Sequence, residues 1–128
     1  MDDLIKEFLS KKTFAVVGSF KNEQKVAYKI FRNLRSRGYE VYPVNPNIKE
    51  IDGIKCYPNI KDLPIVVDVV DLVTPPEVSL EIVKQCLEKG IKMVWLQPGA
   101  ENEEVINFCK KNGIKIIHNT CIMMTNNV

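Results

Sequence analysis

The stretch Thr13-Phe14-Ala15-Val16-Val17-Gly18-Ser19-Phe20-Lys21-Asn22 joins an apolar run to a glycine turn and leads into residues 23–37. The apolar run predicts a strand at residues 13–17 that is covered on both faces, as in parallel sheets. Apolar residues at helical spacing predict a helix over residues 23–37. A glycine turn between a buried strand and a helix directs unpaired N–H groups and the helix dipole at one point. This stretch therefore predicts a phosphate-bearing ligand at the turn of an α/β unit.

Positive charge is concentrated beside this turn. Residues 21–37 carry six Lys and Arg side chains and one acid, Glu23, so their net charge is +5, whereas the whole chain carries +2. Lys21 and Lys25 lie nearest the turn, where they would attract phosphate groups. The alternative interpretation is that the basic side chains form only the solvated face of a helix.

Length and composition predict a single domain, residues 1–128, of an ordinary globular kind. The acidic start and the lack of an apolar run near 20 residues predict a cytoplasmic protein that does not enter membranes. The small net charge argues against nucleic-acid binding. The four cysteines form no Cys-x-x-Cys pair and His118 is the one histidine, which argues against a metal or redox site. Cys86 and Cys109 are predicted to be small core residues.

Strands and helices alternate along the chain. Strands are predicted at residues 13–17, 39–44, 54–57, 65–73, 92–97 and 114–118, and helices at 2–10, 23–37, 77–88 and 101–112. The alternation predicts an α/β fold, a Rossmann-like doubly wound parallel sheet of about five to six strands with helices on both faces. If strand 54–57 adds outside strand 39–44, the strand order reverses between Gly18 and Thr74, and ligands bind at such a reversal.

A nicotinamide dinucleotide is the obvious candidate ligand, and the sequence argues against it. The dinucleotide fingerprint needs three glycines, and this turn has only Gly18. The second strand ends in Val44-Asn45-Pro46-Asn47, without the acid that holds the ribose hydroxyls. The lysines beside the turn favour a ligand with more phosphate charge.

Five pieces of sequence occur together over nearly the whole chain. They are Ala15-Val16-Val17-Gly18-Ser19, Gly38-Tyr39-Glu40-Val41-Tyr42-Pro43-Val44-Asn45-Pro46, Val67-Asp68-Val69-Val70-Asp71-Leu72-Val73, Trp95-Leu96-Gln97-Pro98-Gly99-Ala100 and Cys121-Ile122-Met123. This set resembles the CoA-binding domain family in its small stand-alone form, related to the N-terminal domain of the succinyl-CoA synthetase alpha subunit. The Val-Asn-Pro and Trp-x-Gln-Pro-Gly pieces are the most specific.

The resemblance implies a binder of coenzyme A (CoA) or acyl-CoA. It places the phosphates on Gly18, Ser19, Phe20 and Lys25, and the adenosine part beside Asn45 and Pro46, which follow Val44. It places the opposite wall of the site at Thr74, Pro75 and Pro76, which follow Val73. The pantetheine would lie toward Gln97, Pro98, Gly99 and Ala100. The sequence departs from the family where Glu23 replaces a proline and Lys25 replaces an arginine. Lysine lacks the bidentate fork of arginine, so the departures bear on affinity rather than on fold.

No catalytic set is visible in the sequence. There is no Gly-x-Ser-x-Gly elbow and no Ser-His-Asp arrangement. Asp68 and Asp71 are predicted to flank a buried strand in edge or capping roles, and His118 is predicted to be structural. The sequence therefore favours a binding module over an enzyme. Two alternatives from other classes are a nicotinamide-dependent oxidoreductase domain and a regulatory subunit that has kept the fold and lost the ligand.

Overall fold

The computed structural model describes residues 2–125, in which helices and strands alternate. In chain order the elements are α1 (Asp2–Leu9), β1 (Thr13–Val17), α2 (Val26–Ser36), β2 (Glu40–Val44), β3 (Glu50–Ile51), β4 (Ile54–Lys55), β5 (Val69–Leu72), α3 (Pro76–Lys89), β6 (Met93–Leu96), α4 (Glu103–Lys111) and β7 (Lys115–Ile117). Two 3₁₀ turns, Ile60–Asp62 and Ile122–Met124, accompany them. Within these residues, no helix is both long enough and apolar enough to span a bilayer.

Five of the strands form one parallel sheet in the order β2-β1-β5-β6-β7. Val17, at the end of β1, is in register with Val44 of β2 on one side and Leu72 of β5 on the other. The strand order reverses between β1 and β5, so the turns after these strands lie at the same edge of the sheet. The predicted Rossmann-like sheet and the predicted reversal are confirmed.

Each face of the sheet has its own apolar core, because successive side chains of a strand point to opposite faces. Phe8 of α1 and Phe31 of α2 pack with Trp95 of β6 on one face. Val83 of α3 and Cys109 of α4 belong to the core on the other face. Full burial of one large apolar side chain contributes about 1.5–3 kcal/mol to the stability of the fold. Because many such side chains are buried in the two cores, the strands and their ends are held in fixed positions. The helices therefore cover both faces, as predicted.

The predicted strand at residues 54–57 is wrong in extent. Residues 50–55 form the antiparallel pair β3–β4 instead, outside the main sheet. Only Tyr57 continues the sheet, through a single parallel bridge to Val44. Its N–H donates to Pro43 and its carbonyl accepts from Asn45, both at 2.9 Å. The chain thus pairs outside β2 for one residue before it turns toward α3.

The predicted strand at residues 65–73 shortens to β5. Ile65 and Val66 are exposed, at 39% and 54%, because they lie before the sheet begins. Asp68 then binds the start of β1, since its carboxylate accepts the N–H groups of Lys12 and Thr13, both at 3.1 Å. Burial alone would raise the pKa of Asp68, but these hydrogen bonds, together with the Thr13 side chain and the charge of Lys11, outweigh burial and lower it. The predicted capping role of Asp68 matches this geometry.

The β3–β4 hairpin is fastened to α2 by one carboxylate. Asp52 sits in the hairpin turn with φ of 49°, a left-handed conformation that Asp tolerates better than most residues. Its carboxylate accepts from Arg32 Nε at 2.9 Å and from Tyr28 Oη at 2.6 Å. These two bonds, Arg32 first, lower the pKa of Asp52 to about 2. Arg32 also forms a salt bridge with Glu23 at 3.1 Å, so the same arginine links the segment before α2 to the hairpin.

Candidate functional site

A cleft of about 460 Å³ opens at the carboxyl ends of β1, β2 and β5, where the strand order reverses. Ligand pockets commonly have volumes of about 300–1,000 Å³. Eight predicted site residues line the cleft: Gly18, Ser19, Val44, Asn45, Pro46, Val73, Thr74 and Pro75. The other seven lie outside its lining: Phe20, Lys25, Pro76, Gln97, Pro98, Gly99 and Ala100. The first three strand ends therefore meet as predicted, and the fourth does not join them.

Gly18 is required by close packing. A Cβ atom at this position would lie 2.7 Å from Ala27 Cβ and 2.9 Å from the carbonyl oxygen of Val73. Contacts below 3.0 Å between such atoms force one group to move. The glycine thus lets α2 approach the turn closely, which brings the start of the helix to the edge of the cleft.

The start of α2 has no side-chain cap. Lys25 occupies the N-cap position, and its side chain has no acceptor atom with which to cap the helix. No acid lies in the first turn of the helix. The first N–H groups of a helix have no partner within it, and with the helix dipole they favour an anion. Lys25 itself is exposed and is not among the residues that line the cleft.

Phe20 has a different position from the one that the resemblance implies for a ligand contact. Its side chain is 4% exposed and belongs to the core beneath α2. It meets Tyr28 and Phe31 edge-on, at 6.3 and 6.1 Å between ring centroids. A ligand at this position could therefore contact only the main chain of Phe20, because the ring is buried in the core and holds the turn in place.

Asn45 joins the first two strand ends. Its Nδ2 donates to the carbonyl oxygen of Gly18 at 2.7 Å, and its Oδ1 accepts the N–H of Asn47 at 2.7 Å. Both ends of the side-chain amide are therefore engaged within the protein. Asn45 shapes the cleft by holding the turn after β1 against the turn after β2.

The third wall of the cleft is the turn from β5 into α3. Pro75 is the N-cap residue of α3 and Pro76 opens the helix, a position that suits proline because no N–H partner is needed there. Thr74 Oγ1 lies 2.7 Å from Oγ of the buried Ser79. This hydrogen bond ties the wall to the first turn of α3.

Gln97 is buried at the end of β6 and forms a bridge between two segments. Its Nε2 donates to Asp71 Oδ1 at 2.7 Å, and its Oε1 accepts the N–H of Ile122 at 3.3 Å. The prediction that Asp71 lies at a strand edge is wrong, because it is fully buried within β5, between β1 and β6. Burial raises the pKa of Asp71 to about 8, against a smaller lowering by Gln97. Gln97 thus supports the fold from beneath the site.

The loop after β6 is closed on itself. Gly99 has φ of 95°, in the left-handed region that favours glycine, and its N–H donates to Glu101 Oε1 at 3.0 Å. Ala100 is buried, and its N–H donates to the carbonyl of Gln97 at 2.8 Å. Pro98 is exposed. A ligand that needed the N–H of Gly99 would have to displace the Glu101 carboxylate.

The sequence does not indicate the far end of the cleft. It is lined by Pro58, Asn59, Ile60, Val78, Glu81, Ile82 and Gln85. The four α3 residues share one helical face, and the apolar spacing of α3 predicts that Val78 and Ile82 point inward. Val78 is nevertheless 42% exposed, and it lines the cleft. Only the position of α3 against the sheet turns this face into a cleft wall.

Three of the four thiols are buried. Burial raises the pKa of Cys56 and Cys109 to about 11 and that of Cys86 to about 12, so these thiols stay protonated. The predicted core positions of Cys86 and Cys109 are confirmed. Cys121 is partly exposed, at the start of the last 3₁₀ turn. Across residues 2–125, no His, Cys, Asp and Glu side chains form a group that could hold a metal ion.

Comparison with known proteins supports the resemblance. The family model described as CoA binding domain matches residues 12–127. ADP-forming acetate–CoA ligase II of Archaeoglobus fulgidus is 33% identical over 96% of this chain, which spans 20% of that ligase. The uncharacterized protein YneT of Bacillus subtilis is 30% identical, and the alignment covers 97% of this chain and 93% of YneT.

A solved structure agrees with these relatives in fold. The conserved hypothetical protein Pfu-723267-001 from Pyrococcus furiosus is 45% identical, with a TM-score of 0.85 over 88% of this chain and 97% of that one. The family match spans almost the whole chain, and the sheet order places the cleft at the reversal. On this evidence the chain belongs to the CoA-binding domain family.

Proposed function

We propose that the protein is a cytoplasmic, single-domain CoA-binding module that holds CoA or an acyl-CoA in this cleft and catalyses no reaction of its own. The observation that carries the proposal is that a cleft opens at the strand reversal of a chain that matches the CoA binding domain model over residues 12–127. Family membership supports CoA as the ligand, and the size of the cleft suits the nucleotide end of CoA.

The phosphates of the ligand would lie at the turn after β1. Gly18 and Ser19 line the cleft there, and the uncapped start of α2 is drawn close by the glycine. Lys25, at the N-cap, and Lys21, in the turn, add positive charge from outside. Backbone N–H groups, helix dipole and lysine charge together favour an anion with more than one phosphate group.

The adenosine part would lie between the turn after β2 and α3. Asn45 and Pro46 form one wall, and Thr74 and Pro75 form the opposite wall. The pantetheine would leave toward the loop after β6, which holds Gln97, Pro98, Gly99 and Ala100. Asn45 and Thr74 are engaged in hydrogen bonds within the protein, so their role is to shape the cleft rather than to carry out chemistry.

A thermal-shift series tests the proposal. CoA should stabilise the protein more than dephospho-CoA does, and more than NAD does, because the basic helix after the turn favours the extra 3′-phosphate of CoA. A ligand that binds only the folded state raises its stability by mass action, so the thermal shift reports the affinity. Acetyl-CoA and NADP complete the series at low and at moderate salt. A shift with NAD at least as large as that with CoA would favour the oxidoreductase alternative. A flat result with every compound would favour a regulatory subunit without a ligand.

Replacing Lys25 with Glu should weaken CoA binding roughly tenfold and flatten its salt dependence. The charge at the N-cap would change sign, and a charge-assisted contact with phosphate would be lost. The screening length falls to ~8 Å at physiological ionic strength, so the difference in CoA affinity between the variant and wild type should shrink as salt rises. Titration calorimetry at two salt concentrations measures both effects. Lys110→Glu on α4, outside the cleft, is the matched control; equal losses in both variants would make the α2 lysine an ordinary surface charge.

A further inference from the structure

One wall of the cleft continues into the β3–β4 hairpin on both sides. Residues 45–47 line the cleft and lead into the hairpin, and residues 58–60 line the cleft after the chain has left it. The base of the hairpin is closed by Cys56, whose N–H donates to the carbonyl of Lys49 at 2.8 Å. The position of one hairpin therefore sets the position of both wall segments.

The hairpin is too short to hold its own position. Each of its strands has two residues, and an isolated two-stranded hairpin is marginally stable at best in water. Two contacts fasten its tip, which are the burial of Ile51 in the core that includes α2 and the binding of Asp52 to Arg32. Arg32 donates to both oxygens of the carboxylate, from Nε at 2.9 Å and from Nη2 at 3.1 Å. Such a bidentate contact fixes direction as well as distance.

The same guanidinium also holds the segment that follows the turn after β1. Its third nitrogen, Arg32 Nη1, donates to Glu23 Oε1 at 3.1 Å. Glu23 follows Ser19, which lines the cleft, by four residues. One side chain on α2 therefore joins the two chain segments whose neighbours form the first and second walls of the cleft. We call this set of contacts, from Glu23 through Arg32 to Asp52, the Arg32 bridge.

The ring of Tyr28 supports the Arg32 bridge from one turn earlier on α2. Arg32 Cζ lies 4.5 Å from the ring centroid, within the range of a cation–π contact. Tyr28 Oη donates to Asp52 Oδ1 at 2.6 Å, and the ring meets Phe20 edge-on. Stacking and the shared carboxylate thus hold the guanidinium in one orientation before any ligand binds.

We propose that Arg32 is a positioning residue for the ligand, whose guanidinium keeps the turn after β1 and the β3–β4 hairpin at the separation that the ligand needs. The inference rests on the proposed function, because CoA would lie between the walls that these segments form. Arg32 and its two acidic partners are not among the residues that line the cleft, so the bridge acts through the walls. Lysine cannot form the same bridge, because its ammonium group lacks the planar fork of arginine.

Arg32→Lys keeps the positive charge of the side chain and removes the fork. The variant should bind CoA about three- to fivefold more weakly in titration calorimetry, the size expected for partly exposed ion pairs. Arg35→Lys, on the same helix and outside the cleft, is the matched control and should bind CoA as wild type does. Equal affinity of Arg32→Lys and wild type for CoA would overturn the proposal, even if the variant were less stable.

A double-mutant cycle distinguishes a bridge from two independent contacts. Glu23→Gln and Asp52→Asn each break one side, and the two walls are no longer joined once either side is broken. Glu23→Gln should therefore lower the affinity for CoA about threefold more in the wild-type background than in Asp52→Asn. Any direct effect of the Glu23 charge on the phosphates is common to both backgrounds and cancels.

The cycle alone decides if circular dichroism shows that Arg32→Lys is misfolded. Equal effects of Glu23→Gln in the two backgrounds would overturn the role of Arg32 while CoA binding itself stands. Failure of wild type to bind CoA would overturn the proposed function together with this inference.

Discussion

Replacing Asp71 with Asn is expected to raise the free energy of unfolding by about 3 kcal/mol at pH 8. The carboxyl is fully buried in β5, and burial raises its pKa to about 8, whereas the unfolded chain ionises near 3.8. The folded state therefore binds a proton that the unfolded state releases. Asn is uncharged in both states and keeps an acceptor for Gln97 Nε2, so it removes a penalty of roughly 5 kcal/mol, which corresponds to the difference between a pKa of 3.8 and one of about 8. Its buried NH₂ group would take the place of Asp71 Oδ2, which has no partner among the described residues, and this costs about 1–3 kcal/mol in return.

The sign of the pH dependence follows from the raised pKa. Stability due to Asp71 is fully present below pH 3.8 and is lost progressively as pH rises to about 8. Wild type should therefore lose stability across this range, and Asp71→Asn should lose less. Denaturant unfolding at pH 5, 7 and 9 measures the two curves. Parallel curves would mean that Asp71 is ionised in the folded state.

Asp68→Asn is the control of opposite sign. The pKa of Asp68 is lowered by the N–H groups of Lys12 and Thr13, against burial. Its contribution is present above the unfolded pKa and is lost as pH falls. The variant should therefore be less stable than wild type at neutral pH and should approach wild type in acid.

Gly18→Ala is expected to destabilise the protein by about 2–3 kcal/mol and to weaken CoA binding strongly. The new Cβ would overlap Ala27 Cβ and the Val73 carbonyl, and forced overpacking typically costs 1–3 kcal/mol. Relief requires α2 to move away from the turn, which withdraws its uncapped start from the proposed phosphate site. Equilibrium unfolding and titration calorimetry of the same variant measure the two losses.

A second substitution separates overlap from other causes. Gly18→Ala with Ala27→Gly removes the closest clash, at 2.7 Å, and leaves the one with Val73 at 2.9 Å. The double variant should therefore lose less stability than the sum of the losses in the two single variants. If the losses in the free energy of unfolding of the two single variants simply add in the double variant, the clash is not the cause of the destabilisation.

The sequence predicts the features that depend on local pattern. The apolar run of β1, the glycine after it and the prolines at the start of α3 each carry a local signal, and these signals mark strand ends that line the cleft. The β3–β4 hairpin escapes prediction because the contacts that fix it, from Tyr28 and Arg32 to Asp52, come from α2 more than fifteen residues away.

Site residues are harder to predict than strand ends, because burial depends on the whole fold. Gln97 and Asp71 have polar side chains at strand positions, and only the packed sheet shows that they bond each other beneath the site. Phe20 follows the turn in sequence, and its ring turns into the core. Gln85 is one of several polar residues of α3, and only the folded chain shows that it lines the cleft.

The position of β1 between β2 and β5 has a consequence for synthesis. β1 is made first, but its neighbour β5 begins at Val69, about 50 residues after Val17. At roughly 5–20 residues per second, one edge of β1 waits about 3–10 s for its partner. An unpaired apolar edge is a template for association with other chains. Nascent chains stopped before Val69 should therefore aggregate, and those that extend past Leu96 should protect β1 from hydrogen exchange.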